Sequence, residues 1–358
     1  MNRIILIGNG FDLAQDLKTS YKHFIDDLWD KKSIEILEMH RKNRILHAGT
    51  VPLGNYEDND IVVELKNKTF ILQDNIESSV TGFNRFDFIV SQLKDFQGIS
   101  NITFKNKFLS QITFNCQLQN WVDIEEEYYK ALKNCFENKN GITELNNDFQ
   151  SIRLTLEDYL VNQIKIDKQK AEIIYQKIYY PLDNYGNWTN DIKYNNLLFL
   201  NFNYTNNIKL NYSLYKSSKL IHIHGVLNDP NNPIIFGYGD DLDEKYIQIE
   251  QLNNNEYLKN IKTINYLQSK NYHELLTFIN SDEYQIFIMG HSCGISDRTL
   301  LSIIFEHQNC KSIKPFYHKK DDDTDNYSDL SINISRNFKD KSLFRERVVN
   351  YLDCEPLI

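Results

Sequence analysis

A pair of glycines one residue apart follows a short apolar segment near the start of the chain. Residues 4–7 are apolar, and the turn after them reads Gly8-Asn9-Gly10-Phe11-Asp12. Glycine has no β-carbon, so a ligand can approach the backbone there, and a helix that begins at the turn directs its N–H groups at an anion. This pattern is typical of nucleotide phosphate sites in α/β proteins. It predicts a strand, a phosphate-binding turn and a helix, in that order.

Four further polar or glycine-rich clusters each follow a predicted strand. They read Asn201-Phe202-Asn203-Tyr204-Thr205, His222-Ile223-His224-Gly225, Phe236-Gly237-Tyr238-Gly239-Asp240-Asp241 and Gly290-His291-Ser292-Cys293-Gly294-Ile295-Ser296-Asp297. A glycine after a strand is by itself most often only a turn. Ligands of open parallel sheets, however, collect outside the carboxyl ends of the strands. We therefore expect the five clusters to line one cleft.

Hydrophobic periodicity predicts the elements that hold these clusters. Near-continuous apolar runs after residue 195 predict strands of a buried, largely parallel sheet, at 197–201, 220–223, 234–236, 285–289, 312–317 and 330–334. Helical spacing appears at about 267–280, 297–308 and 341–352. Amphipathic helical patterns dominate the middle of the chain. We predict a nucleotide-binding core of residues 1–25 and 195–358, with a mainly helical insertion at 26–194.

The segment after the glycines argues against an ordinary nicotinamide dehydrogenase. The dinucleotide fingerprint requires a second strand that ends in an acidic residue about 20 positions further on. Asp30 has that spacing, but it lies within a helical pattern over residues 20–38.

Composition limits the remaining function classes. The net charge of −9 provides no overall electrostatic footprint for nucleic acid, so we expect no such partner. The five cysteines form no CxxC pair and lie near no histidine at zinc-ligand spacing, which indicates a reducing cytoplasm and no metal. Every apolar run is shorter than the ~20 residues of a membrane span. We expect a cytoplasmic protein that does not interact with membranes.

The motifs resemble a known family. The strings IGNGFDLAQDLKTSYKHF, NFNYT, HIHG, FGYGDD and GHSCGISDRTLL resemble the AbiH family of bacteriophage abortive-infection proteins across nearly the whole chain. The same motifs, in the same order, also resemble the sirtuin-like NAD-binding fold. The resemblance implies an α/β, Rossmann-type, mostly parallel sheet with a large helical insertion. It also implies phage defence as the role and NAD as substrate or ligand.

The resemblance also implies roles for individual residues. Asn203 matches an asparagine that orients water near the ribose, and His224 matches a catalytic histidine. Gly8, Asn9 and Gly10 match the pyrophosphate turn. The other predicted ligand-binding residues are Phe11, Asp12, Gly225, Gly237, Gly290, His291, Ser292 and Asp297.

Three positions carry open questions. Thr205 stands where the resemblance implies an aspartate, and Asp12 stands where it implies a small hydroxyl residue. Asp297 has a second interpretation, in which its side chain caps the helix that follows.

The resulting functional prediction is hydrolysis of NAD⁺ to nicotinamide and ADP-ribose. Nicotinamide leaves as a neutral molecule, so the reaction needs no general acid, and one asparagine with one histidine is a sufficient set. A non-catalytic nucleotide-binding module remains an alternative. So do a serine hydrolase that uses Ser292 in the string G-x-S-x-G and a metal-dependent nuclease built on Asp12, Asp240 and Asp241. We expect a homo-oligomer or a partner protein bound through the helical insertion.

Overall fold

The computed structural model describes residues 1–46, 56–65, 81–82, 84–86, 99–119, 123–163, 173–174, 176–178, 195–208, 218–320 and 324–358. The chain forms two compact units. One comprises Met1–Thr19, Tyr128–Ile142 and Leu160–Ile358, and the other comprises Ser20–Glu127 and Thr143–Tyr159. The predicted division into 1–25 with 195–358 and an insertion at 26–194 stays a prediction.

The strands and helices of the described residues alternate along much of the chain. In chain order the strands are β1 (Asn2–Ile7), β2 (Tyr56–Glu57), β3 (Ile61–Leu65), β4 (Ile99–Phe104), β5 (Leu197–Asn201), β6 (Ser218–His222), β7 (Tyr284–Met289) and β8 (Cys310–Phe316). The α-helices are Asn9–Leu13, Tyr21–Leu46, Lys107–Gln119, Ile124–Asn138, Ile142–Val161, Glu244–Glu250, Lys262–Asn265, Asn271–Ser281, Arg298–Glu306, Tyr327–Arg336 and Lys341–Arg347.

The first unit contains a five-stranded parallel sheet in the order β6-β5-β1-β7-β8. Its register aligns the last residues of four strands. Ile7 lies opposite Asn201 on one side and Met289 on the other, and Asn201 lies opposite His222. The segments that follow these four residues therefore leave the sheet at the same edge. The predicted α/β class with a mostly parallel sheet is confirmed.

The sheet is buried on both faces, as its apolar strands require. Ile4 and Leu6 belong to one apolar cluster, and Ile5 and Ile7 belong to the cluster on the opposite face. All six residues of β1 are buried. The central strand is thus a rigid support for the glycine turn that follows it.

The second unit contains helices and an antiparallel sheet of β2, β3 and β4. The indole of Trp29 anchors its core, because its Nε1 donates to the hydroxyl of Thr113 at 3.1 Å and its ring lies 4.4 Å from that of Phe86. The sequence patterns did not indicate this small sheet.

Four of the predicted strands after residue 195 are confirmed, the one at 197–201 with its predicted bounds and three with shifted ends, and two are wrong. Residues 234–236 are buried but lie outside the strands, and residues 330–334 belong to the helix Tyr327–Arg336. Leu330 and Ile334 are buried whereas Ile332 is 52% exposed, which is the period of a helix and not of a strand. Among the described residues, no helix combines the length and apolar character that crossing a membrane requires.

Candidate functional site

Asn203 lies against the glycine turn at the carboxyl edge of the parallel sheet. Its side-chain amide donates to the carbonyl oxygen of Gly8 at 3.0 Å, and its backbone N–H donates to Oδ1 of Asn201 at 3.0 Å. The amide of Asn201 donates in turn to the carbonyl of Thr205 at 3.3 Å. The segment 201–205 is thus closed by its own hydrogen bonds and joined to the turn after β1.

The glycines of two turns allow close contact between backbones. Gly10 donates its N–H to the carbonyl of Gly290 at 2.7 Å. A β-carbon at Gly8 would lie 2.5 Å from Cα of His291, and one at Gly290, where φ is +75°, would lie 2.0 Å from the nitrogen of Phe11. This packing alone requires glycine at these positions.

Asn9 is the exposed residue of the glycine turn, and its Oδ1 accepts a hydrogen bond from the hydroxyl of Thr19 at 2.6 Å. The N–H groups of Gly8 and Gly10 both donate to carbonyls of the β7 end. Their assignment to a pyrophosphate stays a prediction, and Asn9 is the side chain of this turn that a ligand can reach.

Gly225 and Gly237 also lie at close backbone contacts. Gly225 has φ +79°, and a β-carbon there would lie 2.1 Å from the carbonyl oxygen of Pro233. A β-carbon at Gly237 would lie 1.9 Å from the carbonyl oxygen of Asn260. Their predicted ligand contacts stay predictions.

Asp12 is buried beneath the turn and accepts hydrogen bonds from the segment after β5. The hydroxyl of Thr205 donates to its Oδ2 at 2.6 Å, and the amide of Asn207 donates to its Oδ1 at 3.1 Å. Burial raises the pKa of this carboxyl, while the hydrogen bonds from Thr205, Asn207 and Asn203 oppose that shift. Asp12 and Thr205, the two departures from the expected pattern, are therefore in direct contact.

A buried ionic cluster surrounds Asp297 at the same edge of the sheet. Its Oδ1 lies 2.8 Å from Nζ of Lys262 and 3.1 Å from Nε2 of His224, and its Oδ2 lies 3.6 Å from Nε2 of His291. Asp297 is the N-cap residue of the helix Arg298–Glu306, but its side chain makes no capping hydrogen bond. The capping interpretation is wrong, because the carboxylate binds these side chains instead.

The protonation of the cluster follows from its burial and its charges. Desolvation, followed by the charge of Lys262, lowers the pKa of His224 to about 4. Burial works to raise the pKa of Asp297, but the charge of Lys262 and the hydrogen bonds from His224 and His291 hold it well below its usual value. An ionised carboxylate only accepts hydrogen bonds, so the neutral imidazole of His224 carries its hydrogen on Nε2 and its lone pair on Nδ1.

The aromatic ring of Phe202 links the histidines of this cluster. Its centroid lies 5.0 Å from that of His224 and 4.3 Å from that of His291. His291 accepts the N–H of Cys293 on Nδ1 at 2.9 Å, which directs its Nε2 toward Asp297. The predicted residues of the β1, β5, β6 and β7 ends thus form one connected set.

A comparison with sequence models of protein families identifies the chain. The model of the family described as bacteriophage abortive infection AbiH matches residues 4–318, which include most of β1, all of β2 to β8 and every candidate site residue. The chain belongs to the AbiH family. This membership indicates a role in abortive infection by bacteriophage. No curated protein and no solved structure matches the chain.

Two important neighbours of His224 in this AbiH protein were missed by sequence reasoning. Lys262 is fully buried, and the hydroxyl of Tyr266 lies 3.2 Å from Nε2 of His224. Both belong to the segment 260–266, which has no motif. The sequence Ile261-Lys262-Thr263 gives no signal that this lysine is buried. The contact between Asp12 and Thr205, in contrast, could have been inferred because both residues depart from the expected pattern.

The residues on which the serine-hydrolase and nuclease alternatives depend lack the partners that those reactions require, among the residues that the structure describes. Ser292 is exposed, its carbonyl accepts the amide of Asn333 at 3.0 Å, and no hydrogen bond joins its hydroxyl to a histidine in the described ranges. Asp240 pairs with Arg298 at 3.4 Å, and Asp241 accepts the hydroxyl of Thr263 at 2.9 Å. The part of the chain that the structure describes contains no cluster of three metal-ligating side chains. The geometry favours neither alternative.

Proposed function

We propose that this AbiH protein binds NAD⁺ at the carboxyl edge of its parallel sheet and hydrolyses it in the cytoplasm of the infected cell. The products are nicotinamide and ADP-ribose, and the loss of NAD⁺ stops the cell from supporting phage growth. The observation that carries the proposal is the 3.0 Å hydrogen bond from the Asn203 amide to the Gly8 carbonyl. It joins the predicted water-orienting residue to the predicted phosphate turn.

The order of the sheet supports a nucleotide site at this edge. Numbered along the chain within the sheet, the strands run 3-2-1-4-5, because β6 and β5 lie on one side of β1 and β7 and β8 on the other. That order is the one expected of a Rossmann-type fold, in which ligands bind where the strand order reverses. In this chain the reversal lies at β1 and its glycine turn.

The chemistry suits the residue types of Asn203 and His224. A water oxygen forms a bond to the ribose C1′, the bond from C1′ to the pyridine nitrogen breaks, and its electron pair neutralises the ring as nicotinamide leaves. The water gives up a proton, and no acid is needed for the leaving group. In the proposed mechanism the Asn203 amide orients the water, and Nδ1 of neutral His224 accepts the proton.

The two departures from the sirtuin-like pattern support the proposal as a pair. The pattern implies a small hydroxyl residue at position 12 and a carboxylate at position 205, and this chain has the two types exchanged. Thr205 donates to Asp12 at 2.6 Å. A hydroxyl and a carboxyl group are therefore in contact here, with the carboxyl group at position 12 and the hydroxyl at position 205.

A second candidate is a module that binds the nucleotide without turnover. The burial of His224 favours it, because the imidazole is 3% exposed and its pKa of about 4 makes it a weak base. Such a module would signal the presence of NAD⁺ to another component.

One experiment separates the two candidates. The purified full-length protein is incubated with NAD⁺, with and without phage lysate, and nicotinamide is quantified by chromatography, while binding is measured by calorimetry. Asn203→Ala is expected to lower the rate by about 10²-fold or more. Asn195→Ala, at the exposed amino end of the same strand, is the matched control and should retain the wild-type rate.

The outcomes are distinct. Nicotinamide release that depends on Asn203 supports hydrolysis. Binding without release in every condition supports the second candidate, and the absence of binding contradicts both.

An effector that depletes NAD⁺ must be held inactive before infection. We therefore also propose that the protein associates with itself or with a partner through the insertion at 26–194. Light scattering on the purified protein would detect the first arrangement, and a monomer at all concentrations would contradict it.

A further inference from the structure

We propose that Asp12 is a positioning residue that holds Asn203 in place for the reaction, and that it acts through its hydrogen bonds to the segment 203–207 and not by touching the ligand. This inference rests on the proposed function, because it concerns the residue that is expected to orient the attacking water. It assigns a role to a carboxylate that has no part in bond making or breaking.

The contacts of Asp12 all lead to the segment that carries Asn203. Its side chain is 1% exposed, and both of its oxygens accept hydrogen bonds from this segment, at 2.6 Å from Thr205 and at 3.1 Å from Asn207. A ligand therefore cannot replace these partners without opening the interior. Asp12 itself belongs to the helix Asn9–Leu13, which begins at the glycine turn.

The segment between these anchors is closed by its own hydrogen bonds. Asn201 accepts the N–H of Asn203 at 3.0 Å and donates to the carbonyl of Thr205 at 3.3 Å. A displacement of Thr205 is therefore transmitted to Asn203 across a loop that is already closed. The bond from Asn203 to Gly8 fixes one end of this loop, and Asp12 fixes the other.

The carboxyl group of Asp12 suits this task. Both partners donate, and the two carboxyl oxygens accept, one from Thr205 at 2.6 Å and the other from Asn207 at 3.1 Å. Burial of a carboxyl group lowers the stability of the fold unless the group is well hydrogen-bonded. Apolar side chains of similar volume would stabilise the fold as well or better. The carboxyl group of Asp12 therefore fixes the geometry of the segment 201–207.

Variants of the full-length protein test the proposal through kinetics. Asp12→Ala removes the hydrogen bonds that Asp12 accepts from Thr205, Asn207 and Asn203. It is expected to lower kcat by about tenfold or more while KM changes by less than about twofold. Asp12→Asn retains the shape, because the Thr205 hydroxyl can turn to accept, and it should lose less. The exchange Asp12→Thr with Thr205→Asp restores the pair and should recover most of kcat.

The control is Asp16→Asn, which removes the same charge from an exposed position of the neighbouring turn. It should leave kcat unchanged. A loss in Asp12→Asn as large as in Asp12→Ala, with no recovery in the exchange variant, would overturn the positioning role in favour of the charge itself. If Asp12→Ala does not fold, the other two variants decide.

A second measurement does not depend on turnover. The side-chain amide signal of Asn203 in a ¹⁵N NMR spectrum is assigned by its loss in Asn203→Ala, and Asp12→Ala should shift or broaden it. An unchanged signal would overturn this inference even in an active enzyme. An absence of nicotinamide release by the wild type would contradict the proposed function alone.

Discussion

The Nε2 atom of His224 lies 3.1 Å from Oδ1 of Asp297, and the same oxygen lies 2.8 Å from the ammonium of Lys262. The positive charge of Lys262 therefore already balances the negative charge of Asp297, without a contribution from His224. A protonated His224 would add a second positive charge to one buried carboxylate. This arrangement keeps the imidazole neutral while it fixes the tautomer that carries the hydrogen on Nε2.

The pH dependence of NAD⁺ hydrolysis should reflect this neutral histidine. If His224 accepts the proton, its neutral form is the active one, and its pKa of about 4 places the acid limb of kcat/KM near that value and not near 6.5. Initial rates of nicotinamide release between pH 4 and 8 would measure the limb, with circular dichroism at each pH to verify folding. Half-maximal activity near the ordinary histidine pKa would contradict the role of His224.

Removal of the neighbouring cation should shift that pKa upward. The charge of Lys262 lowers the pKa of His224, so in Lys262→Met the imidazole becomes the remaining cationic partner of Asp297. The ring resonances of His224 should then titrate at higher pH than in the wild type, and breaking the buried pair should cost about 3–5 kcal/mol of unfolding free energy. NMR titration and urea unfolding measure the two effects.

The matched control for that variant is Lys219→Met, which removes a half-exposed partner of Glu274. It should leave the His224 titration unchanged and alter stability by less than about 1 kcal/mol. Equal shifts in the two variants would contradict the assignment of the effect to Lys262.

The stability of the protein should depend on pH through the same residue. Above pH 6.5 His224 is neutral in both the folded and the unfolded chain, and between 6.5 and about 4 the unfolded chain binds a proton that the folded chain excludes. The contribution of His224 therefore falls as the pH falls through this window. Urea unfolding at several pH values should give a smaller slope for His224→Gln than for the wild type, and identical slopes would contradict the depressed pKa.

Sequence patterns predicted the strands that support the site better than the side-chain contacts within it. The strands β1, β5 and β7 are continuous apolar runs that are buried on both faces, and such runs give a clear signal. The clusters at their ends could be placed at one edge because parallel strands share a direction. The strand predicted at 330–334 failed because its apolar residues fit two periods over so short a window.

The contacts of the site could not be predicted in the same way. For Asp297 the sequence offers both ligand binding and a helix cap, since its spacing to the following helix is visible in the sequence and its spacing to Lys262 and His224 is not. These partners meet only because the loops after β6 and β7 and the segment 260–266 fold back onto one edge. Local propensity carries no information on such a meeting.

The glycine turn after β1 has a structural role that its sequence does not indicate. The sequence predicts that the glycines allow phosphate to approach the backbone, and the structure shows that the N–H of Gly10 also donates to the carbonyl of Gly290 at 2.7 Å. Gly290→Ala should therefore destabilise the protein with no ligand present. Its φ of +75° is unfavourable for alanine, and the added carbon would lie 2.0 Å from the nitrogen of Phe11. We expect a loss of about 3 kcal/mol or more of unfolding free energy, measured by urea denaturation.

Gly294→Ala is the matched control for Gly290→Ala, because Gly294 has φ −63° and an added β-carbon there would lie 3.6 Å from its nearest neighbouring atom. It should change stability by less than about 1 kcal/mol. An equal loss in the two variants would mean that contact between the two turns is not what requires glycine at position 290.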